Sequence, residues 1–400
     1  MSQHHILVVN VQGHGHVYPS LGLVSELARR GHRISFVTTP LFAEEVAAVG
    51  ATVVPYKSEF DNFHVPDVVK QEDAETQLHL VYIRENMAVL RAAEEGLRDD
   101  PPDLVVYDVF PFIAGRLLAK TWNRPAVRMG GAAENEHYSV FEALWASNGQ
   151  RHPADVEAVH AVLVDLLTKY GIDTPVKQFW REIEDLNIIY LPKSFQVLPE
   201  TFDERFVFVG PSFTGRLEDT NWQPPHRDAP VLLVSLGNLF NEHPDFFKAC
   251  AQAFANTPWH VVMAIGGFLD PATLEPLPPN VEAHKWVPFH TVLEHATACL
   301  IHGTIGATME AMDMGVPLVV MPHFATEAAP FAQHVVDLGL GYELPADQLD
   351  PANIRAVVER LVADTGVKER VLRMQRDIKE SGGPARAADE IEAHMKRFTQ

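Results

Sequence analysis

The apolar positions of this chain fall into short continuous runs. His5-Ile6-Leu7-Val8-Val9-Asn10 is the first, followed by Arg33 to Thr38, Thr52 to Pro55 and Asp103-Leu104-Val105-Val106-Tyr107-Asp108. Runs of this length between turn formers predict strands buried on both faces, as in a parallel sheet. Between them the spacing becomes helical. Leu21, Leu23, Val24, Leu27 and Ala28 lead to Gly31, and Phe42 to Val49 closes at Gly50. Leu78 to Leu97 and Phe112 to Trp122 follow. Pro19 suits the first turn of a helix, where its missing N–H costs little, so Val11 to Val17 reads as a loop. Ala126 to Arg128, Leu186 to Leu191 and Phe206 to Val209 add strands, and residues 130–185 are mainly helical and irregular. Phe60 to Gln77 mixes acids, histidines and aromatics and reads as a long loop, a common place for function.

Thr214 to Pro230 is poor in hydrophobic residues and holds Pro224, Pro225 and Pro230, as a linker would. The alternation then restarts. Strands are expected at Val231 to Ser235, Trp259 to Ala264, Val281 to Trp286, Ala298 to Ile301 and Val316 to Met321. Helices are expected at Asp245 to Ala255, His290 to His295, Ala307 to Met314 and Glu327 to Leu338. Pro351 to Ala363 and Lys368 to Lys379 are helical, and after Gly382-Gly383-Pro384 an amphipathic helix runs to Phe398. The expected organisation is a first domain over 1–213, a linker over 214–230 and a second domain over 231–383. The helix in 384–400 is expected to pack back on the first domain. The class is α/β, with two doubly wound, Rossmann-like sheets. Such sheets bind ligands beyond the carboxyl ends of their strands. If the two domains face each other, a cleft lies between them, with His16 and Asp108 on one side and His302 on the other.

Composition narrows the function. The net charge is −21, and no basic footprint marks a nucleic-acid binder. The two cysteines, Cys250 and Cys299, sit in apolar surroundings. They suit buried thiols in a reducing cytoplasm and argue against a disulfide scaffold. No signal peptide is evident, and no apolar run reaches the ~18 residues of a membrane span.

Two stretches hold candidate chemistry. In the second half, a Gly-containing turn joins the strand before His302 to a helix: His302-Gly303-Thr304-Ile305-Gly306-Ala307-Thr308-Met309-Glu310. Gly303 and Gly306 would let a ligand approach the backbone, and the helix start offers amides and a positive dipole end to an anion. His302 adds a donor, Thr308 a hydroxyl and Glu310 an acceptor for sugar hydroxyls. The set suits a nucleotide diphosphate, although strand–Gly–helix turns are common and no Gly-Lys-Ser/Thr follows. In the first half, His16 and Asp108 both follow strand ends. A histidine of ordinary pKa can take a proton from a hydroxyl, and a carboxylate on its other ring nitrogen fixes the tautomer. His14-x-His16 also has the spacing of a metal pair, but no third ligand is identifiable.

Four motifs in order then resemble the GT-B glycosyltransferases, the nucleotide-sugar enzymes of family 1. They are Gly15-His16-Val17-Tyr18-Pro19, the Asp108 strand end, Val234-Ser235-Leu236-Gly237, and Trp286-Val287-Pro288 followed by His302 to Glu310 and Pro322 to Glu327. The resemblance covers essentially the whole chain. Within the family it is strongest to the actinobacterial antibiotic enzymes of the macrolide and enediyne type, above all those that decorate calicheamicin-type enediynes. It implies a GT-B fold, with an acceptor domain first and a donor domain second. It also implies inversion in one displacement, with no metal and no cofactor. By resemblance His16 is the base and Asp108 its orienter. Gly237, Trp286, Val287, His302, Gly306, Ala307, Thr308, Glu310, Thr326 and Glu327 hold the nucleotide sugar. Many relatives carry Gln where Phe289 stands, which puts a ribose contact there in doubt, and Trp286 has an alternative reading as core.

The partners implied are a dTDP- or UDP-sugar and a natural-product acceptor, with no nucleic acid and no membrane. A homodimer stays open. Hexose-using relatives place Asp-Gln where Thr326-Glu327 stands, so this site has fewer partners for sugar hydroxyls. A deoxy- or aminodeoxysugar is expected, with Glu327 able to meet an ammonium, and the resemblance to the enediyne enzymes implies an aminopentose in particular. Glu327 also suits plain capping of the helix that follows. Phe63, Phe110 and Phe112, among the aromatics Phe60, Tyr138 and Phe141, are candidates for the acceptor surface. The alternatives are a UDP-glucose-dependent macrolide-type transferase, a nucleotide-sugar 2-epimerase and a non-catalytic partner protein.

Overall fold

The structure, a computed structural model, describes residues 3–62, 73–147, 149–213, 221–237, 241–322 and 328–398. The chain divides into two compact units. One comprises Met1–Leu217 with Ser381–Gln400, the other Glu218–Glu380.

The first unit is built on seven parallel strands: β1 (His5–Val9), β2 (Arg33–Thr38), β3 (Thr52–Pro55), β4 (Leu104–Asp108), β5 (Ala126–Gly130), β6 (Asn187–Ile189) and β7 (Phe206–Phe208). Their order is β3-β2-β1-β4-β5-β6-β7. Every residue of β1 and β4 is buried, which explains their unbroken apolar runs. One face of the sheet is covered by helix His14–Arg29 and the terminal helix Gly383–Phe398, through Val17, Leu21, Ala388 and Ile391. The Gly383 amide donates to the Val209 carbonyl at 2.8 Å, joining that helix to the end of β7. The other face is covered by helices Ala74–Gly96, Phe112–Trp122 and Glu157–Lys169.

The second unit has six parallel strands: β8 (Val231–Ser235), β9 (His260–Ala264), β10 (Val281–His284), β11 (Ala296–Ile301), β12 (Leu318–Val320) and β13 (Gly341–Glu343). Their order is β10-β9-β8-β11-β12-β13. Relative to the first strand of each sheet, both orders begin 3-2-1-4-5-6, the doubly wound Rossmann order. Cys250 and Cys299 are fully buried, and burial pushes both thiols up.

Several expectations shift, and helix Ala74–Gly96 starts four residues before Leu78, inside the stretch read as a loop. Strand β13 was absent from the expected elements. Helix His14–Arg29 begins five residues before Pro19, because the Gly13 carbonyl receives the His16 and Val17 amides at 3.0 and 2.9 Å. Pro19 lies in its second turn and leaves the Gly15 carbonyl without an intrahelical donor. The motif helix begins at Ile305, with Thr304 as its N-cap, two residues earlier than expected.

Candidate active site

In the first unit the strand order reverses between β1 and β4. The loop after β1 enters the helix that bears His16, and β4 ends at Asp108. The His16 Nδ1 and Asp108 Oδ1 atoms are 2.8 Å apart. The Asp108 side chain is 5% exposed and that of His16 33%, so the carboxylate is enclosed and the ring is half-buried. The Phe110 amide donates to the same Asp108 oxygen at 2.9 Å, which fixes the carboxylate. A carboxylate accepts only, so Nδ1 carries a proton, and in the neutral ring Nε2 keeps its lone pair. That is the tautomer a general base needs.

His16 is held from behind as well. Asn10, fully buried at the end of β1, donates from Nδ2 to the His16 carbonyl at 3.0 Å. Its Oδ1 accepts from the Val11 amide at 2.8 Å. The Phe110 ring lies 5.3 Å from the His16 ring. The Phe110 carbonyl accepts from the Tyr82 hydroxyl at 2.5 Å. His14 turns away into an aromatic corner, 5.0 Å from Phe42 and 5.3 Å from Tyr18.

Phe112 is a correction to the acceptor surface. It is 6% exposed and packs in the core against Phe179 and Trp180, with the Arg116 guanidinium over its ring. As the first residue of a helix lying on β4 it takes an inward position, whereas Phe110, two residues earlier in the loop, stays half-buried beside His16. Phe63 lies outside the described residues.

In the second unit the order reverses between β8 and β11. Gly237 follows β8 and His302 follows β11. Gly237 has φ +75°, and a Cβ there would lie 2.6 Å from His302 Cε1. The imidazole therefore rests directly on the glycine, and only glycine fits both the backbone and the space. The Gly237 amide donates to Ser235 Oγ at 3.2 Å, and buried Asn241 donates to the Gly237 carbonyl at 2.9 Å. Gly303 has a different reason from the one expected. Its φ is +95°, and a Cβ would meet Ala332 Cβ at 2.8 Å, so it admits helix Ala328–Asp337. Among the described residues nothing lies within 4 Å of a Cβ built on Gly306.

Helix Ile305–Asp313 leaves the amides of Ile305, Gly306 and Ala307 without intrahelical acceptors, while the Thr308 amide is committed to the Thr304 carbonyl at 3.0 Å. The Thr308 hydroxyl is fully buried and has no partner among the described residues. Glu310 is buried in the same helix at 7% exposure. Trp286 is 57% exposed, so it is not core, and Val287 beside it is half-buried. Thr326 and Glu327 lie outside the described residues. Among the described residues, no group of three or more His, Cys, Asp or Glu side chains could hold a metal ion, and no helix is long and apolar enough to cross a membrane.

Sequence reasoning missed Asn10, and it missed Tyr56 and Glu85, a bonded pair of which Tyr56 also accepts from the Gln12 amide in the loop before His16. Asn10 had a signal, a polar residue closing an apolar run. Glu85 had none, because a glutamate within a helix ordinarily marks the solvent face.

Comparisons with known proteins show the family. The family model for the C-terminal domain of erythromycin biosynthesis protein CIII-like proteins matches residues 259–394. The crystal structure of CalG4, the calicheamicin glycosyltransferase, is 74% identical to this chain over 100% of both, with a TM-score of 0.91. The NDP-glycosyltransferase YjiC of Bacillus subtilis (strain 168) is 36% identical over 99% of each chain. The demethyllactenocin mycarosyltransferase of Streptomyces fradiae is 33% identical over 97% of this chain and 86% of its own. With its two parallel-sheet α/β domains, the chain belongs to the GT-B glycosyltransferases of family 1, among those of the antibiotic and macrolide type.

Proposed function

We propose that the enzyme is an inverting glycosyltransferase that needs no metal. It moves a deoxy- or aminodeoxysugar from a dTDP-sugar to a hydroxyl of an enediyne or related polyketide. The observation that carries the reading is the 2.8 Å contact between His16 Nδ1 and enclosed Asp108. His16 Nε2 takes the proton of the acceptor hydroxyl as its oxygen bonds to the anomeric carbon. The bond from that carbon to the phosphate oxygen breaks in the same step, which inverts the centre. Asp108 stabilises the imidazolium.

The departing diphosphate gains negative charge. The amides of Ile305, Gly306 and Ala307, which lack intrahelical acceptors, and the His302 ring over Gly237 supply fixed positive ends in place of a cation. The buried Thr308 hydroxyl and Glu310 belong to the same set, and exposed Trp286 offers a face to the base. The donor sugar is inferred from the sequence at Thr326-Glu327. It is supported by the calicheamicin glycosyltransferase at 74% identity and by a mycarosyltransferase among the relatives.

The test is product mass. Incubation with a dTDP-aminodeoxysugar should yield a glycosylated enediyne or macrolide aglycone, and 10 mM-scale EDTA, in roughly the excess that strips weak metal sites, should leave the rate unchanged. Loss with EDTA that Mg²⁺ or Mn²⁺ restores contradicts the metal-free mechanism. Equal or better kcat/KM with UDP-glucose contradicts the deoxysugar donor and leaves glycosyl transfer standing.

A further inference from the structure

Glu85 lies on helix Ala74–Gly96 and is fully buried. Its carboxylate accepts from the Tyr56 hydroxyl at 2.6 Å, the Ser58 hydroxyl at 2.9 Å and the Glu59 amide at 2.7 Å. Among the described residues these partners are hydroxyls and an amide, with no cation. A buried carboxylate without a cation is an expensive way to fill a core, and burial does push its pKa up. An apolar residue of the same size would serve stability better.

Its contacts lead toward His16 by two routes. The Tyr56 hydroxyl, while donating to Glu85, accepts from the Gln12 amide at 2.7 Å. Gln12 directly precedes Gly13, the N-cap of the helix that bears His16. In the second route Ser58 Oγ also accepts from the Phe60 amide at 3.1 Å. The Phe60 ring lies 6.1 Å from Phe110, and Phe110 lies 5.3 Å from His16. One route fixes the backbone under the imidazole and the other the ring beside it.

We propose that Tyr56 and Glu85 are positioning residues that set the place of His16 against Asp108 and thereby the rate of transfer. This rests on His16 being the base. Displacing a reacting group by about 1 Å can cost on the order of 10²-fold in rate, so a partial loss of bracing matters.

Tyr56→Phe is the cleanest variant, since it keeps the ring and the Ser58 and Glu59 bonds but leaves the Gln12 amide without its acceptor. Glu85→Gln is the second. The assay is transfer from a dTDP-aminodeoxysugar to an enediyne aglycone, together with ¹⁵N NMR of the histidine ring nitrogens in the free protein, which needs no substrate. Tyr56→Phe should lower kcat ~10-fold with donor KM within about twofold. It should also move the His16 Nδ1 resonance, and it should add no loss in a His16→Ala background. An unmoved His16 resonance with kcat within about twofold of the parent overturns the proposal. So does an equal ~10-fold loss on top of His16→Ala, which would mean general damage. If Glu85→Gln does not fold, Tyr56→Phe decides alone. Near-parental turnover of His16→Ala by itself overturns the base assignment, an outcome distinct from both.

Discussion

The two sheets share the order 3-2-1-4-5-6 over six strands, and in each that order reverses between the first and fourth strands, yet the two reversal points present different groups. In the first unit the strand ends present side chains, with His16 paired to Asp108 at 2.8 Å. In the second they present backbone. A glycine with φ +75° lies under His302, and a helix start follows with three amides that lack intrahelical acceptors. Proton transfer needs one titratable atom at a defined place, which a braced side chain supplies. Holding a diphosphate needs several weak positive ends spread over an area, which a helix N-terminus supplies. The topology offers both units the same location, and the residues on two loops decide what each does with it.

If the first reversal point is the chemical one, Asp108→Asn should cut kcat ~10²–10³-fold while nucleotide affinity stays the same. The amide can donate to Nδ1 and so favours the wrong tautomer. Steady-state kinetics beside calorimetric titration with dTDP reads both numbers. A loss of affinity matching the loss of rate would erase the distinction between the units.

The second reversal point breaks in the opposite sense. Gly237→Val adds a β-branched side chain at positive φ, where a Cβ already meets the His302 ring. It should weaken dTDP binding ~10–100-fold, as loss of one or two charge-assisted contacts does. An affinity within about threefold of the parent would show that the ring over Gly237 is not part of the anion site.

Thr308→Val sharpens the same side. The hydroxyl is buried and unpartnered among the described residues, so its removal should leave the melting temperature unchanged or raised. If the hydroxyl waits for the ligand, dTDP affinity should fall ~3–10-fold. A drop in stability with unchanged affinity would make Thr308 a core residue only.

The smallest effect concerns acid. Burial lowers the His152 pKa to about 4, from an ordinary 6.5, and lowers that of His79 as well. Both rings pack against Trp145 in the first unit. A histidine whose folded pKa is depressed contributes stability above pH 6.5, and that contribution is lost as pH falls toward 4. The melting temperature of the first unit should therefore drop by several degrees, of order ~2–8 °C, across that window. His152→Asn can still accept from the Ala154 amide, as the His152 Nδ1 does at 3.0 Å, and should flatten part of the drop. An identical pH profile in the variant would remove His152 from the account.

Much of this was legible in the sequence for physical reasons that also mark the limits. Strands buried on both faces read as apolar runs, so β1, β4, β8 and β11 and their strand-end residues were placed without ambiguity. β13 was missed because three residues, Gly341-Tyr342-Glu343, give no run to read. The helix before Pro19 was misplaced because proline preference for the first turn lost to the Gly13 carbonyl, which starts the helix earlier. Phe110 and Phe112 are chemically alike, and only the helix start between them sends one inward. Glu85 was invisible because burial of a carboxylate follows from tertiary packing alone.

The central claim is that the first unit holds the base and the second holds the donor. It is tested most directly by His16→Ala, with turnover and dTDP affinity measured on the same preparation. The account predicts a fall in kcat of ~10²–10⁴-fold and a dTDP dissociation constant within about twofold of the parent. Turnover within about twofold of the parent enzyme would contradict it.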